Sequence, residues 1–300
     1  MDEAGPDFLG IGAQKAATNW LWQNLKQHPE IWMPPYKEIH YFDRALQYPS
    51  PSYLASPGLG ARLLGRAKHD REFRRLFVRS LASSVRHRRW NELRWQLRHF
   101  AGRYDDRWYF SLFREGAGKV KGEITPSYSI LDESDVRAIH EVLPRLKVIF
   151  LMRNPIDRAW SHVRFDWTTG RFAGIDSAAR IRAFIDSPLQ SLRSDYLRTL
   201  DIWGSQFPPG QLLVGFYDDV IGRPAELLTD VHRFLGVTPL GPENGGCAED
   251  RIFSSREREI PEELLVFLAR KYRPAIEALS VRFGGHATGW LAEADRILGQ

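Results

Sequence analysis

One cysteine in 300 residues, Cys247, leaves no internal disulfide to stabilise the chain. The thiol sits beside Gly245 and Gly246, where it reads as a loop residue without a chemical role, and such sparing use of cysteine fits a reducing compartment. Long apolar runs are missing too. No stretch could cross the hydrocarbon of a bilayer as a helix, so a transmembrane segment is not expected. The N-terminus, Met-Asp-Glu-Ala-Gly-Pro, lacks the basic start and apolar middle of a signal peptide, and a cytoplasmic protein is expected. Internal repeats and low-complexity tracts are also absent, which sets aside solenoids and disordered linkers.

What remains is the composition of an enzyme: 43% hydrophobic and 26% charged residues, enough apolar material for a sizeable core. The length suits one large domain or two small ones, and a single domain spanning residues 1–300 is expected. The net charge of +5 is uneven: residues 61–107 carry fourteen Lys/Arg against five Asp/Glu. So concentrated a basic segment points either to an anionic partner (acidic polymer, membrane surface, charged small molecule or nucleic acid) or to a solvated helical face.

Strand and helix signals alternate. Apolar runs at 8–11, 120–124, 146–152 and 212–216 read as buried strands, and 38–42 as a short extended piece. Helices are expected over 18–28, 132–143 (opening on an acid that can cap it), 157–167, 194–207, 224–235 and 261–279. Residues 60–100 carry helical periodicity, with Leu63, Leu64, Phe73, Leu76, Phe77, Leu81, Leu93, Trp95 and Leu97 on the apolar side. Alternation of this kind predicts an α/β protein, a parallel sheet with helices on both faces, whose ligands bind beyond the carboxyl ends of the strands.

Three stretches have chemical character. In Leu9-Gly-Ile-Gly-Ala-Gln-Lys-Ala-Ala-Thr-Asn-Trp20 a strand stops at Gly12, a small-residue loop carries Lys15, and a helix starts at the hydroxyl of Thr18. The backbone N–H groups of such a helix start hold anions, most often phosphate. The loop lacks the closing Gly-Lys-Ser/Thr of a Walker A motif, and the strand at 146–152 ends in Arg153 where a triphosphate-binding enzyme places Asp. In Leu151-Met-Arg-Asn-Pro-Ile-Asp-Arg-Ala-Trp-Ser161 the Arg153 fork and the Ser161 hydroxyl can form a second phosphate site, unless Arg153 is taken up by a carboxylate such as Asp157. In Pro35-Tyr-Lys-Glu-Ile-His-Tyr-Phe-Asp43, Glu38 and His40 share one face of an extended strand and Ile39 and Tyr41 the other, so a carboxylate and an imidazole can serve together in proton removal, or remain surface polar residues.

Together, in this order and spacing, these elements resemble the sulfotransferases that use 3′-phosphoadenosine 5′-phosphosulfate (PAPS), in particular the carbohydrate, heparan-sulfate sulfotransferase branch and its bacterial relatives. Gly122-Glu-Ile-Thr-Pro-Ser-Tyr128, Tyr196-Leu-Arg-Thr-Leu-Asp-Ile-Trp203 and Leu212-Leu-Val-Gly-Phe-Tyr-Asp-Asp219 are further echoes. The likeness covers most of the chain outside residues 50–105 and leaves 50–108 as a basic, mainly helical insertion.

The resemblance implies that Gln14, Lys15, Ala16, Ala17, Thr18, Asn19 and Trp20 bind the 5′-phosphosulfate, and that Arg153 and Ser161 bind the 3′-phosphate. Glu38 then acts as general base, and His40 orients Glu38, binds the acceptor or acts as base itself. Ala17 and Asn19 replace the family's usual loop glycine and second threonine, and Ile124 stands where several glucosaminyl sulfotransferases carry lysine. The disulfide-bearing loop of Golgi members is missing; residues 249–259 occupy its place, with Ser255 or Arg256 at the 3′-phosphate and Phe253 against adenine.

The expected reaction is in-line sulfuryl transfer to a hydroxyl or amine of a saccharide or small metabolite, without a metal and without a nucleic-acid partner. The basic insertion then serves as an acceptor-side surface, a lid or a dimer contact, and the oligomeric state stays open. Two other readings are a P-loop kinase, which needs Mg²⁺ and ATP, and a non-catalytic polyanion binder, which would not need Lys15.

Overall fold

The computed structural model describes residues 5–48, 53–56, 58–169, 177–240 and 260–300. Its first strand, β1 (Phe8–Gly12), is buried along its whole length and runs through the loop into α1 (Thr18–Gln27). A two-residue strand, β2 (Ile31–Trp32), follows, which the sequence pattern did not announce. The basic segment then folds as α2 (Leu59–Leu64), α3 (Lys68–Arg86), α4 (Trp90–Ala101) and α5 (Asp106–Ser111).

Beyond it come β3 (Val120–Ile124), α6 (Glu133–Val142), β4 (Lys147–Met152) and α7 (Pro155–Thr169), the last with proline at its first position. Asp132 does stand at the N-cap of α6, but its carboxylate accepts from Arg198 at 2.6 Å and makes no capping bond. Three helices, α8 (Ala178–Ile185), α9 (Pro188–Ser194) and α10 (Tyr196–Gln206), lead to β5 (Leu212–Phe216). Then come α11 (Tyr217–Gly222) and α12 (Pro224–Leu235). The expected closing helix is longer than its signal: α13 (Glu262–Phe283) turns at Gly284, φ +62°, into α14 (Gly285–Leu298).

All five strands are parallel, in the order β2-β3-β1-β4-β5. Crossovers of a dozen or more residues are what parallel pairing demands, and helices supply them. The register sets Phe8 opposite both Gly122 and Lys147. Gly122 is needed there, because a Cβ would fall 2.3 Å from the Phe8 ring. From β1 the chain moves to one side of the sheet, and from β4 to the other. The carboxyl ends of β1 and β4 therefore flank a switch point, the crevice where open α/β sheets bind ligands.

Two buried clusters hold the molecule. The larger joins the sheet to α1, α7, α10, α12, α13 and α14. The smaller is rich in aromatics and joins the basic helices to residues 39–41 and 53–54: Ile39, Tyr41 and Tyr53 pack there with Phe73, Trp95, Phe100 and Tyr109. Leu63, Leu64 and Leu97 do not join it. They are 38%, 85% and 44% exposed, a correction to the expected apolar side of residues 60–100. Their spacing is helical, but the faces they occupy turn away from the aromatic cluster.

Candidate active site

The loop after β1 is built from unusual backbone. Lys15 and Ala17 have φ of 71° and 61°, and Ala17, the N-cap of α1, makes no side-chain capping bond. The small side chain at Ala17 limits the strain of the left-handed region. A helix start leaves its first N–H groups outside the helix's own hydrogen-bond ladder, and α1 starts at the carboxyl end of β1, beside the crevice. The Ala13 N–H donates to the Leu151 carbonyl at 2.6 Å, which ties the loop to β4. Gln14 is half-buried with a buried Oε1 that has no hydrogen-bond partner, Ala16 and Trp20 are in the core, and Asn19 is half-buried. The Lys15 ammonium rests 3.1 Å above the centre of the Phe165 ring on α7.

Arg153, at the end of β4, reaches the same loop. Its Nη1 donates to the Lys15 carbonyl at 3.3 Å, and its guanidinium lies 4.2 Å over the Tyr217 ring. Arg153 has no carboxylate within ion-pair distance among the described residues, and its Nε is buried without a hydrogen-bond partner, so the pairing with Asp157 considered from sequence does not form. Burial raises the Asp157 carboxyl, with Arg153 pulling it back down. Ser161 lies on α7 eight residues past Arg153, nearly two turns into a helix that starts at Pro155. Ser255, Arg256 and Phe253 fall outside the described residues, as does Cys247.

Below the loop lies a buried cationic layer that the motifs did not single out. Arg158 has no exposure and donates to Gln190 Oε1 at 3.0 Å and Ser194 Oγ at 2.6 Å; its Nε and Nη1 have no partners. Arg193 is 5% exposed with an unpartnered Nε, and burial lowers its guanidinium to about 10. Between them His162 is pushed down by burial and by the charges of Arg193, Arg158 and Lys15. Buried cations with spare donors favour an anionic ligand above them.

The third stretch differs from expectation. Residues 38–42 are not an extended strand: Glu38 and His40 have φ of 63° and 59°. Three contacts impose this shape. The Glu38 N–H donates to the Ile124 carbonyl at 3.2 Å, the Ile39 N–H to Glu123 Oε2 at 3.3 Å, and the Tyr41 N–H to the Tyr128 hydroxyl at 3.0 Å. Ile39 and Tyr41 enter the aromatic cluster, which leaves Glu38 and His40 together on the other side. Glu123 is the hub. Buried, it accepts from Tyr109 (2.8 Å), Tyr128 (2.8 Å), Thr125 (2.6 Å) and the Ile39 N–H.

Glu38 Oε2 is 3.4 Å from His40 Nε2, and His40 Nδ1 is 2.8 Å from Asp43 Oδ2. Asp43 is fully buried, so His40 sits between two carboxylates. Enclosure disfavours charge on both groups, but the ion pairs outweigh it. His40 and Lys37 hold the Glu38 carboxyl at about 2, and Asp43 with Glu38 lifts His40 to about 10. Lys37 Nζ lies 3.4 Å from Glu38 Oε1 and 3.3 Å from the Thr18 hydroxyl, and so spans the carboxylate and the start of α1. Asp43, Lys37 and Glu123 lie inside motifs visible in the sequence, yet only the tertiary contacts show their part.

A family model described as "Sulfotransferase family" matches residues 6–240. Among curated proteins, human heparan sulfate glucosamine 3-O-sulfotransferase 6 is 30% identical over 207 residues, 59% of this chain and 59% of that protein. Human bifunctional heparan sulfate N-deacetylase/N-sulfotransferase 2 is 31% identical over 138 residues, 43% of this chain and 14% of that protein. The chain thus spans less than two thirds of the length of these curated relatives. A solved sulfotransferase structure from Alicyclobacillus acidocaldarius superposes with a TM-score of 0.62 at 21% identity, over 96% of this chain and 99% of that one, which shows a shared fold.

Proposed function

This chain belongs to the sulfotransferase family, and from that premise we propose that it moves a sulfuryl group from PAPS to a hydroxyl or amine of a saccharide acceptor, with Glu38 as general base. The names of the curated relatives support a saccharide. One observation carries the reading of the site: the Arg153 guanidinium touches the carbonyl of Lys15, so two anion-binding elements lie side by side at the switch point, close enough for one doubly phosphorylated nucleotide. The orphaned Arg153 Nε and the cationic layer below, all hydrogen-bond donors, suit such a ligand.

PAPS supplies the sulfuryl group and leaves as adenosine 3′,5′-bisphosphate. The acceptor oxygen or nitrogen forms its bond to sulfur as the bond from sulfur to the 5′-phosphate oxygen breaks, and the acceptor proton goes to Glu38. Lys15 and the N–H groups at 16–20 stabilise the charge that grows on the departing phosphate, binding it better in the transition state than in the ground state. Arg153 and Ser161 hold the 3′-phosphate. His40, kept as imidazolium between two carboxylates, has no lone pair for a proton; it orients Glu38. Protein cations neutralise the nucleotide, so activity is expected to persist in chelator.

Calorimetry tests this. Adenosine 3′,5′-bisphosphate is expected to bind, and ATP–Mg²⁺ to bind far more weakly. The reverse order would favour the kinase reading.

A further inference from the structure

Among the described residues, ten large hydrophobic side chains are exposed, and six of them (Leu63, Leu64, Val78, Val85, Trp90 and Leu97) lie in α2, α3 and α4. These helices also carry most of the basic excess of the chain. On α3 the two properties share one face. Arg71, Arg75, Val78, Ala82 and Val85 are all exposed, at the alternating four-and-three spacing that draws a single line along a helix. Arg79 and Arg86 are exposed beside that line, and Glu72 is the one acid there. None of Arg75, Arg79 and Arg86 has an ion pair among the described residues. The opposite face of α3 enters the core through Phe73, so the line points away from the protein. At the end of α3 the turn adds Arg88 and the 57% exposed Trp90.

The face lies near the reaction. Phe77 of α3 is 5.5 Å from Phe100, Phe100 is 6.2 Å from Tyr36, and Tyr36 is two residues from Glu38. Glu72 and Arg79 also bear on the Tyr36 hydroxyl, as Glu38 does. One aromatic layer separates the outer face of α3 from the catalytic segment.

We propose that this outer face of α3, with the turn to Trp90, docks on an anionic bilayer surface, with the guanidinium groups at lipid phosphates and the valines and Trp90 entering the headgroup boundary. Charge alone would serve an acidic polymer equally well. The exposed aliphatics between the arginines favour the bilayer, because apolar groups gain nothing from a fully ionic, hydrated chain. Docking of this kind brings the acceptor side of the site to a membrane.

The test is co-sedimentation of the full chain with phosphatidylcholine vesicles, plain or containing about one third phosphatidylglycerol, with soluble heparin as the acidic-polymer arm. Binding is expected to the anionic vesicles and not to the plain ones. Arg71→Glu with Arg75→Glu is expected to weaken it by at least about tenfold. Val78→Ser with Val85→Ser, which leaves the charge unchanged, is expected to weaken vesicle binding by about threefold or more and to leave heparin binding alone. No sedimentation with anionic vesicles overturns the proposal. So does vesicle binding that ignores the valine changes and is matched by heparin, which would assign the face to an acidic polymer. Affinity for adenosine 3′,5′-bisphosphate, measured on the same samples, reports folding of the variants. If the wild-type chain binds vesicles but not that nucleotide, the sulfotransferase reading of the site falls while the docking stands.

Discussion

His40 carries its proton at neutral pH because Asp43 and Glu38 both face it, and that has a consequence for stability. Its ordinary value of 6.5 rises to about 10 in the folded protein. The stability it contributes is therefore complete below about pH 6.5 and is lost as the pH climbs through 10. Thermal midpoints are expected to fall from pH 7 to 10 with a component that His40→Ala lacks. Glu38→Gln keeps the shape but has no basic oxygen of comparable strength: turnover is expected to vanish while nucleotide affinity stays within a few-fold. An active Glu38→Gln with a dead His40→Ala would exchange the two roles. At Lys15, loss of one donor to the departing phosphate raises the barrier by about 2.7–4 kcal/mol. Lys15→Ala is thus expected to cut turnover by on the order of a hundredfold or more, and turnover near wild type would remove Lys15 from the mechanism.

Among the elements, β1 with its loop, and β4 leading into Arg153, were legible because a buried strand is a run of apolar residues and small residues between a strand and an amphipathic run mark a tight turn. The segment at 38–43 was legible only in part. Its polar–apolar alternation also fits a strand, and what makes it left-handed at Glu38 and His40 is Glu123 and Tyr128, more than eighty positions away. The break at Gly284–Gly285 and all of α14 were missed, since the apolar period runs on past residue 279 and the glycine pair alone marks the turn. Tyr128→Phe tests the hub: it removes one donor from Glu123 and leaves the buried Tyr41 N–H without an acceptor. A loss of about 1–3 kcal/mol in chemical denaturation is expected, with a larger fall in turnover than in nucleotide affinity.

Across the whole molecule, the sheet cluster carries the Lys15 loop and the end of β4, and the aromatic cluster carries the segment of Glu38, with Lys37 spanning the two through Thr18. The hairpin of α13 and α14 lies beyond the residues matched by the family, yet it braces that crevice. Asn154 donates to Glu293 at 3.0 Å, His286 meets Asp219 at 2.7 Å, and Trp290 donates to Asp218 at 3.1 Å. No regular motif announces those three contacts, because each is a single polar pair between distant segments.

The bond from Arg153 to the Lys15 carbonyl makes the two halves of the crevice mechanically dependent. On the proposed assignment, a residue that grips one end of a nucleotide also shapes the turn that grips the other, so the ends would not be recognised independently. Arg153→Ala is expected to weaken adenosine 5′-monophosphate as well as the 3′,5′-bisphosphate, and the double variant with Lys15→Ala to depart from additivity by at least about 0.5 kcal/mol. Selectivity for the doubly phosphorylated nucleotide is then expected to come from cooperativity within the protein, beyond the sum of two separate grips.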